Sequence, residues 1–266
     1  MRFALVTDVH FGPPAYFAGR LSKLSDAAPE LLRGVVEQLR RNDHPDLVVN
    51  LGDVVEDEHH DADYARYRDF VAILSESADC VLHVAGNHDS INLADEEIAT
   101  LWNHGEPLFY SRRIAGVSFI VLRTLEIKDK AVHVHEEQLR WLAAELASAE
   151  PPVVVLMHHP ASEMRLAGNR WFENAPHICR VAERRQLRRI LEDSGKVVAV
   201  FNGHAHWNHF DVIGGIAYVT LQSLIENLDD GPPGRPAAAW ALCELDSHRL
   251  VIDVRGEERA RYQIEL

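Results

Sequence analysis

The chemistry of this chain gathers around Phe201 to His209, which reads F-N-G-H-A-H-W-N-H. An apolar run, Val197–Phe201, short and β-branched like a buried strand, ends at a glycine turn from which His204 and His206 emerge. Imidazole is a common transition-metal ligand, although a histidine pair on a turn also fits an ordinary loop. Four runs upstream end in the same way. Phe3–Thr7 leads to Asp8 and His10, Asp46–Leu51 to Gly52 and Asp53, Cys80–Ala85 to Gly86, Asn87 and His88, and Val153–Met157 to His158 and His159. Singly, Asp8, Asp53 or Asn87 reads as a cap or turn residue. Five strand ends with ligand-capable groups point to one metal site.

The elements between these runs make that convergence feasible. Leu31, Leu32, Val35, Val36 and Leu39 mark a helical face over Pro29–Arg41, and further helices are predicted over Ala62–Ser75, Asp95–Trp102, Glu136–Ala149 and Ala182–Glu192. Strands separated by helices predict an α/β fold, whose ligand sites lie outside the carboxyl ends of the strands. In extended chain Asp8 and His10 face the same way, and His159 faces away from His158. Gly214-Gly215 predicts a hairpin between Phe210–Ile213 and Ile216–Leu221, the Gly/Pro-rich Asp229–Pro236 a loop, and strands follow near Ala239–Leu245 and Leu250–Arg255. Residues 161–180 show no periodicity and carry Arg165, Arg170, Trp171 and Phe172, so they form a candidate lid or substrate wall. In it the two arginines are candidate phosphate contacts and the two aromatics a candidate base-stacking platform, each equally compatible with solvated or loop-anchoring roles.

Asp8, His10, Asp53, Asn87, His158, His204 and His206 are seven donors, more than one tetrahedral zinc or one 2-His-1-carboxylate iron requires. Two ions sharing a carboxylate would use them all. Mixed oxygen and nitrogen donors without thiolate suit Mn, Fe, Zn or Co, and a pair of such ions favours in-line displacement at phosphorus. Glu56, Asp89 and His159 are expected to orient the ligands rather than to ligate.

Composition limits the alternatives. A chain of 266 residues with 47% hydrophobic content is compatible with one large domain over 1–266, including the strands at 239–255. The net charge of −14 gives no global basic footprint for a nucleic-acid polymer or an anionic membrane. Cys80, Cys179 and Cys243 are too few and too scattered for a disulfide framework. With no signal-peptide pattern before Asp8 and no apolar stretch near the ~20 residues of a membrane span, a soluble cytoplasmic protein is expected, with self-association left open.

In order and spacing, D-x-H at Asp8–His10, G-D-x-x-E at Gly52–Glu56, G-N-H-D at Gly86–Asp89, H-H-P at His158–Pro160 and G-H-A-H at Gly203–His206 resemble the calcineurin-like metallophosphoesterases. The resemblance implies a four-layer α/β/β/α sandwich of two mixed sheets with a bimetal site at one edge. It implies that Asp8, His10 and His206 hold one ion, that Asn87, His158 and His204 hold the other, and that Asp53 bridges them. His88 would lie near the leaving group or phosphate without ligating. The look is closest to the branch of class III cyclic-nucleotide phosphodiesterases and glycerophosphodiesterases. Glu56 stands where purple acid phosphatases carry a tyrosine, and Asp89 where mammalian-type protein phosphatases carry a glutamate. The expected reaction is hydrolysis of a small phosphodiester by a metal-bound hydroxide, with His88 and Asn87 as catalytic residues. A phosphomonoesterase or nucleotide pyrophosphatase on the same site, and a non-catalytic metal-binding scaffold, are the competing readings.

Overall fold

A computed structural model describes residues 1–105, 107–229 and 231–266; position 230, within the predicted Asp229–Pro236 loop, lies outside them. In chain order the strands are β1 (Arg2–Val6), β2 (Ala15–Phe17), β3 (Arg20–Lys23), β4 (Leu47–Asn50), β5 (Val81–His83), β6 (Tyr110–Ile114), β7 (Val117–Val121) and β8 (Leu125–Ile127). They continue as β9 (Ala131–His133), β10 (Val153–Leu156), β11 (Val197–Asn202), β12 (His209–Ile213), β13 (Ile216–Thr220), β14 (Trp240–Leu245), β15 (Arg249–Arg255) and β16 (Ala260–Glu265). The α-helices are α1 (Ala28–Gln38), α2 (His60–Leu74), α3 (Asp89–Asn92), α4 (Asp95–Leu101), α5 (Glu136–Ser148), α6 (Pro176–Cys179) and α7 (Arg184–Ser194).

The apolar runs fold as strands buried on both faces, which is why they show no polar alternation. In β1, Phe3 and Leu5 enter a core shared with Phe119 of β7 and Phe201 of β11, whereas Ala4 and Val6 pack against Leu32 and Val36 of α1 and Phe70 of α2. In β10, Val154 and Leu156 join the same central core, while Val153 and Val155 turn to Leu139 and Leu142 of α5 and Leu187 of α7. Three apolar layers therefore separate four structural ones, helix, sheet, sheet and helix. This is the expected α/β/β/α sandwich.

Sheet topology places the site. One sheet runs β16-β15-β14-β1-β4-β5 and the other β12-β13-β11-β10-β7-β6. Strands β1, β4 and β5 are mutually parallel, as are β7, β10, β11 and β13, while β14, β15, β16, β12 and β6 join in antiparallel fashion. The carboxyl ends of β1, β4, β5, β10 and β11 meet at one edge, where the Asp8 N–H donates to the Gly52 carbonyl (3.0 Å) and the Gly203 N–H to the His158 carbonyl (3.1 Å).

Some local expectations change. The β2–β3 and β8–β9 hairpins have no counterpart in the sequence reading, because three- and four-residue strands leave no periodic trace, and the six-residue β16, whose alternating residues are at most half-buried, is a further strand that reading lacked. The β2–β3 turn is Ala18-Gly19, with both φ positive, and β12–β13 turns at Gly214 and Gly215, also both positive. The segment after His158 contains the short helix α6. Asp8 and His10 do not share a side by strand alternation; β1 stops at Val6, and both residues are left-handed, with φ of 49° and 47°.

Candidate metal centre

The strand ends are twisted tightly to bring donors inward. Among the described non-glycine residues with positive φ, five are predicted ligands: Asp8, His10, Asp53 (55°), His204 (67°) and His206 (49°). Such backbone is costly for residues with a Cβ and persists only where surrounding structure holds it. Two glycines show how closely the segments approach. A Cβ on Gly86 would lie 2.0 Å from Asp53 Oδ1, and one on Gly203 would lie 1.9 Å from Thr7 Oγ1 and 2.3 Å from Asp8 Oδ2.

All seven predicted ligands are brought to this edge. Asp8, His10, Asp53, His158, His204 and His206 are at most 8% exposed, and Asn87 is half-buried. His10 Nε2 lies 3.2 Å from His206 Nε2, which is 3.3 Å from Asp8 Oδ1. On the other side, His158 Nε2 lies 3.1 Å from Asn87 Oδ1, and the His158 and His204 rings are 5.1 Å apart. Asp53 Oδ2 stands between the two groups, 3.7 Å from His10 Nε2 and 3.2 Å from His158 Nε2. The candidate ligating atoms of Asp8, His10 and His206 lie within 4.8 Å of one another, as do those of Asp8, Asp53 and His158, of His158, His159 and His204, and of His10, Glu56 and His88.

The outward atoms of these ligands are already engaged. Asp8 accepts from the Thr7 hydroxyl (2.6 Å) and the His204 N–H (3.0 Å), and Asp53 Oδ1 accepts from the His88 N–H (3.0 Å). His158 Nδ1 meets the Leu51 carbonyl at 2.8 Å, His10 Nδ1 meets Glu56 at 3.1 Å, and His206 Nδ1 meets Glu226 at 2.7 Å. His204 Nε2 contacts the Ile178 carbonyl at 3.0 Å, which leaves Nδ1 for a ligand. Fixing one ring nitrogen by hydrogen bonding leaves the other as an inward lone pair, the arrangement that metal-binding histidines use. A thiolate-free set of facing nitrogens and oxygens, braced from behind, fits divalent transition metals.

Without metal the donors polarise one another. Burial pushes Asp8 up and His206 more than reverses it, while burial of Asp53 is likewise overcome by His158, so both carboxyls sit below their usual range. Burial opposes protonation of His158 and His206, yet Asp53 and Asp8 respectively raise them to about 9. His10 falls to about 4 through burial and Lys23, and His204 to about 3 through burial and His158. Metal ions would replace the two imidazolium protons.

The residues expected to support the ligands lie close behind them. Glu56 bridges His10 and Lys23, whose Nζ is 2.9 Å away. Asp89 accepts from the backbone N–H groups of Asp53 (3.0 Å), Val54 (2.7 Å) and Gly86 (2.8 Å), tying two ligand loops together. His159 bonds Thr124 Oγ1 through Nδ1 at 2.7 Å, its Nε2 is buried without a protein partner, and its ring packs 4.0 Å from that of His204, so that it groups with His158 and His204.

His88 stands beside the donors rather than among the seven. Its Nδ1 bonds the Asp57 carboxylate, and its ring meets the edge of His10 at 4.7 Å. Above the donors opens a cavity of about 300 Å³ walled by Tyr16, Phe17, Trp171 and Phe172. Trp171 packs 4.8 Å from Phe17 and donates through Nε1 to Glu226 (3.1 Å). Phe172 packs 4.6 Å from His204. Arg170 pairs with Glu226 at 3.4 Å, and Arg165 is exposed away from the lining of this cavity.

Sequence reasoning overlooked Asp57, Lys23, Glu226, Tyr16 and Phe17. Asp57 carried a faint signal, since it directly follows the G-D-x-x-E run. Glu226 and the β2–β3 aromatics had none, because their roles arise only when distant segments meet.

A model of the calcineurin-like phosphoesterase family matches residues 1–208. A probable cyclic nucleotide phosphodiesterase of Fibrobacter succinogenes is 25% identical over 163 residues, 60% of this chain and 57% of that protein. Another, of Rhodococcus erythropolis, is 25% identical over 189 residues, 70% of this chain and 59% of that protein. The chain thus spans less than two thirds of either relative. A dimetal phosphatase from Danio rerio has the same fold, with a TM-score of 0.79 over 99% of this chain and 98% of that one at 20% identity. Purple acid phosphatase from yellow lupin seeds shares it at a TM-score of 0.67, 14% identity, and 99% and 53% coverage.

Proposed function

Because the chain belongs to the calcineurin-like phosphoesterase family, we propose that it hydrolyses a small phosphodiester, a cyclic nucleotide or a similar compound, using two transition-metal ions. The observation that carries this reading is Asp53 Oδ2, set between His10 Nε2 and His158 Nε2, so that one carboxylate serves both donor groups. Asp8, His10 and His206 would hold one ion, and Asn87, His158 and His204 the other. Mn, Fe, Zn or Co suits the donors. When bound, such a pair activates water and neutralises charge on the phosphate.

The chain's own groups supply the rest. Asn87 turns Oδ1 toward His158, which leaves its amide N–H groups to donate to a non-bridging phosphate oxygen. His88, fixed at Nδ1 by Asp57, presents Nε2 to the departing alkoxide and protonates it. The aromatic walls shield one substituent from water. The diester preference rests on the two relatives named as probable cyclic nucleotide phosphodiesterases and on those walls. We also place the protein in the cytoplasm, in keeping with its three free cysteines; among the described residues no helix is long and apolar enough to cross a membrane.

The test is the initial rate on bis-p-nitrophenyl phosphate beside p-nitrophenyl phosphate, with manganese and with an EDTA control. The expected result is metal-dependent turnover that favours the diester. A monoester preference would assign a phosphatase instead. His204→Ala should abolish turnover and lose one metal equivalent, whereas His88→Ala should retain both and lose rate. Full activity in either variant contradicts these roles.

A further inference from the structure

The first sheet ends in an open edge. Among the described residues β16 pairs with β15 alone, so one side of its backbone has no strand beside it. The Leu266 N–H donates to the His248 carbonyl at 2.8 Å. Antiparallel bonds alternate residue by residue, so Ala260, Tyr262 and Ile264 bond β15, while Arg261, Gln263 and Glu265 turn their N–H and C=O groups outward. The side chains of these last three are exposed, whereas Tyr262 and Ile264 pack against the central core.

The strand is complementary to its own reverse. Two copies of β16 laid antiparallel about Gln263 set Arg261 opposite the partner's Glu265, Tyr262 opposite the partner's Ile264, and Gln263 opposite the partner's Gln263. In this register every outward backbone group meets a bonding partner, because the centre falls on a residue whose N–H and C=O face away from β15. A slip by one residue would bring Tyr262 and Ile264 to bonding positions, and their groups are already spent on β15. Within one chain Arg249 stands opposite Glu265 and Asp253 opposite Arg261. The pairing extends these into a row of alternating charge, from Arg249 and Glu265 to the partner's Arg261 and the partner's Asp253. On the other face Tyr262 and Ile264 form aromatic and β-branched pairs across the join. At the neighbouring edge of the second sheet Phe210 of β12 stacks on Tyr262 (4.8 Å), and Val212, on the same face of β12, is 52% exposed. An apolar end of the central core is thus uncovered beside the open strand.

We infer that β16 is a self-pairing strand through which two copies of the chain form a two-fold dimer with one continuous sheet. Arg261 and Glu265 discourage foreign strands at the edge and select a second copy of the same strand, because only its reverse places opposite charges against both.

The test is the solution mass of the full chain by sedimentation velocity over a dilution series. The unmodified protein should sediment as two chains and dissociate on dilution. Gln263→Pro removes the outward N–H at the centre of the join and no bond to β15, so it should keep the parent's circular dichroism while the dimer dissociation constant rises about tenfold or more. Arg261→Glu and Glu265→Arg each set like charges opposite one another and should weaken the dimer by about tenfold. An equimolar mixture of these two variants restores opposite charges and should recover the two-chain mass. If Gln263→Pro fails to fold, the charge variants and their mixture decide. A single chain at every concentration of the unmodified protein, a dimer as tight in both charge variants as in the parent, or a mixture no tighter than its components would overturn the inference.

Discussion

The donors and the walls above them are built by opposite means. Each donor stands at or just beyond the end of a strand, and the outward atoms of the aspartates and histidines are held by carboxylates, a hydroxyl or backbone. The walls come from a short hairpin, a loop and a turn, and Tyr16 and Phe17 are 68% and 41% exposed. Sheet topology therefore sets where the chemistry happens, while short-range loop contacts set what can approach it. The two regions meet at Glu226, which holds His206 on one side and Trp171 and Arg170 on the other.

Perturbing the donor edge should have the greatest effect. Gly203→Ala puts a methyl group into Thr7 and Asp8, so a loss of about 1–3 kcal/mol in stability is expected, together with loss of metal. Denaturant unfolding and metal content check it, and a variant with unchanged stability and full metal would show that this edge tolerates movement. Glu226→Gln keeps the shape but removes the charge behind His206. Metal affinity should fall about 10- to 100-fold, and Trp171 fluorescence should change, as read by calorimetry and emission spectra. A change in fluorescence alone would assign Glu226 to the wall rather than to the donors.

His83 provides a contrast with the braced imidazoles. It ends β5, is 6% exposed, stacks on Trp102 at 5.4 Å, and its Nδ1 has no partner. Burial lowers it from 6.5 to about 3. Because the folded-state value is depressed, the unfolded chain takes up a proton first as the pH falls below 6.5. That costs stability at about 1.4 kcal/mol per pH unit. Between pH 6.5 and 4.5, above the main carboxylate range, His83→Leu should lose less stability than the parent protein. Equal pH dependence in paired unfolding curves would contradict this. The smallest effect is expected at the wall, where Phe17→Ala removes the partner of Trp171. A rise in KM of about two- to tenfold is expected, with metal content intact. Loss of metal in this variant would erase the distinction between the two regions.

Legibility in the sequence follows the same division. The apolar runs and the groups at their ends are local patterns, so an α/β chain with seven donor-capable side chains near its strand ends was readable in order, while the four-layer sandwich followed from the family resemblance. The reason for their convergence was not. Asp8 and His10 come together through left-handed backbone beyond β1, a conformation that alternation rules do not anticipate. Asp57 directly follows a motif yet acquires its role only through His88, which is 31 residues away. Glu226 and the β2–β3 aromatics take part through contacts between remote segments, and residue type and spacing do not encode such contacts. Arg165 illustrates the converse, a suitable residue type on a suitable loop that the fold turns outward.

The central claim is that Asp53 joins two donor groups into one two-ion site. Its most direct test is manganese titration of the metal-free protein, followed by electron paramagnetic resonance and by metal analysis after desalting. Two ions per chain with a spin-coupled spectrum are expected, and Asp53→Asn should abolish the coupling. A single ion at saturation, or two that remain magnetically independent in the parent protein, would contradict the account.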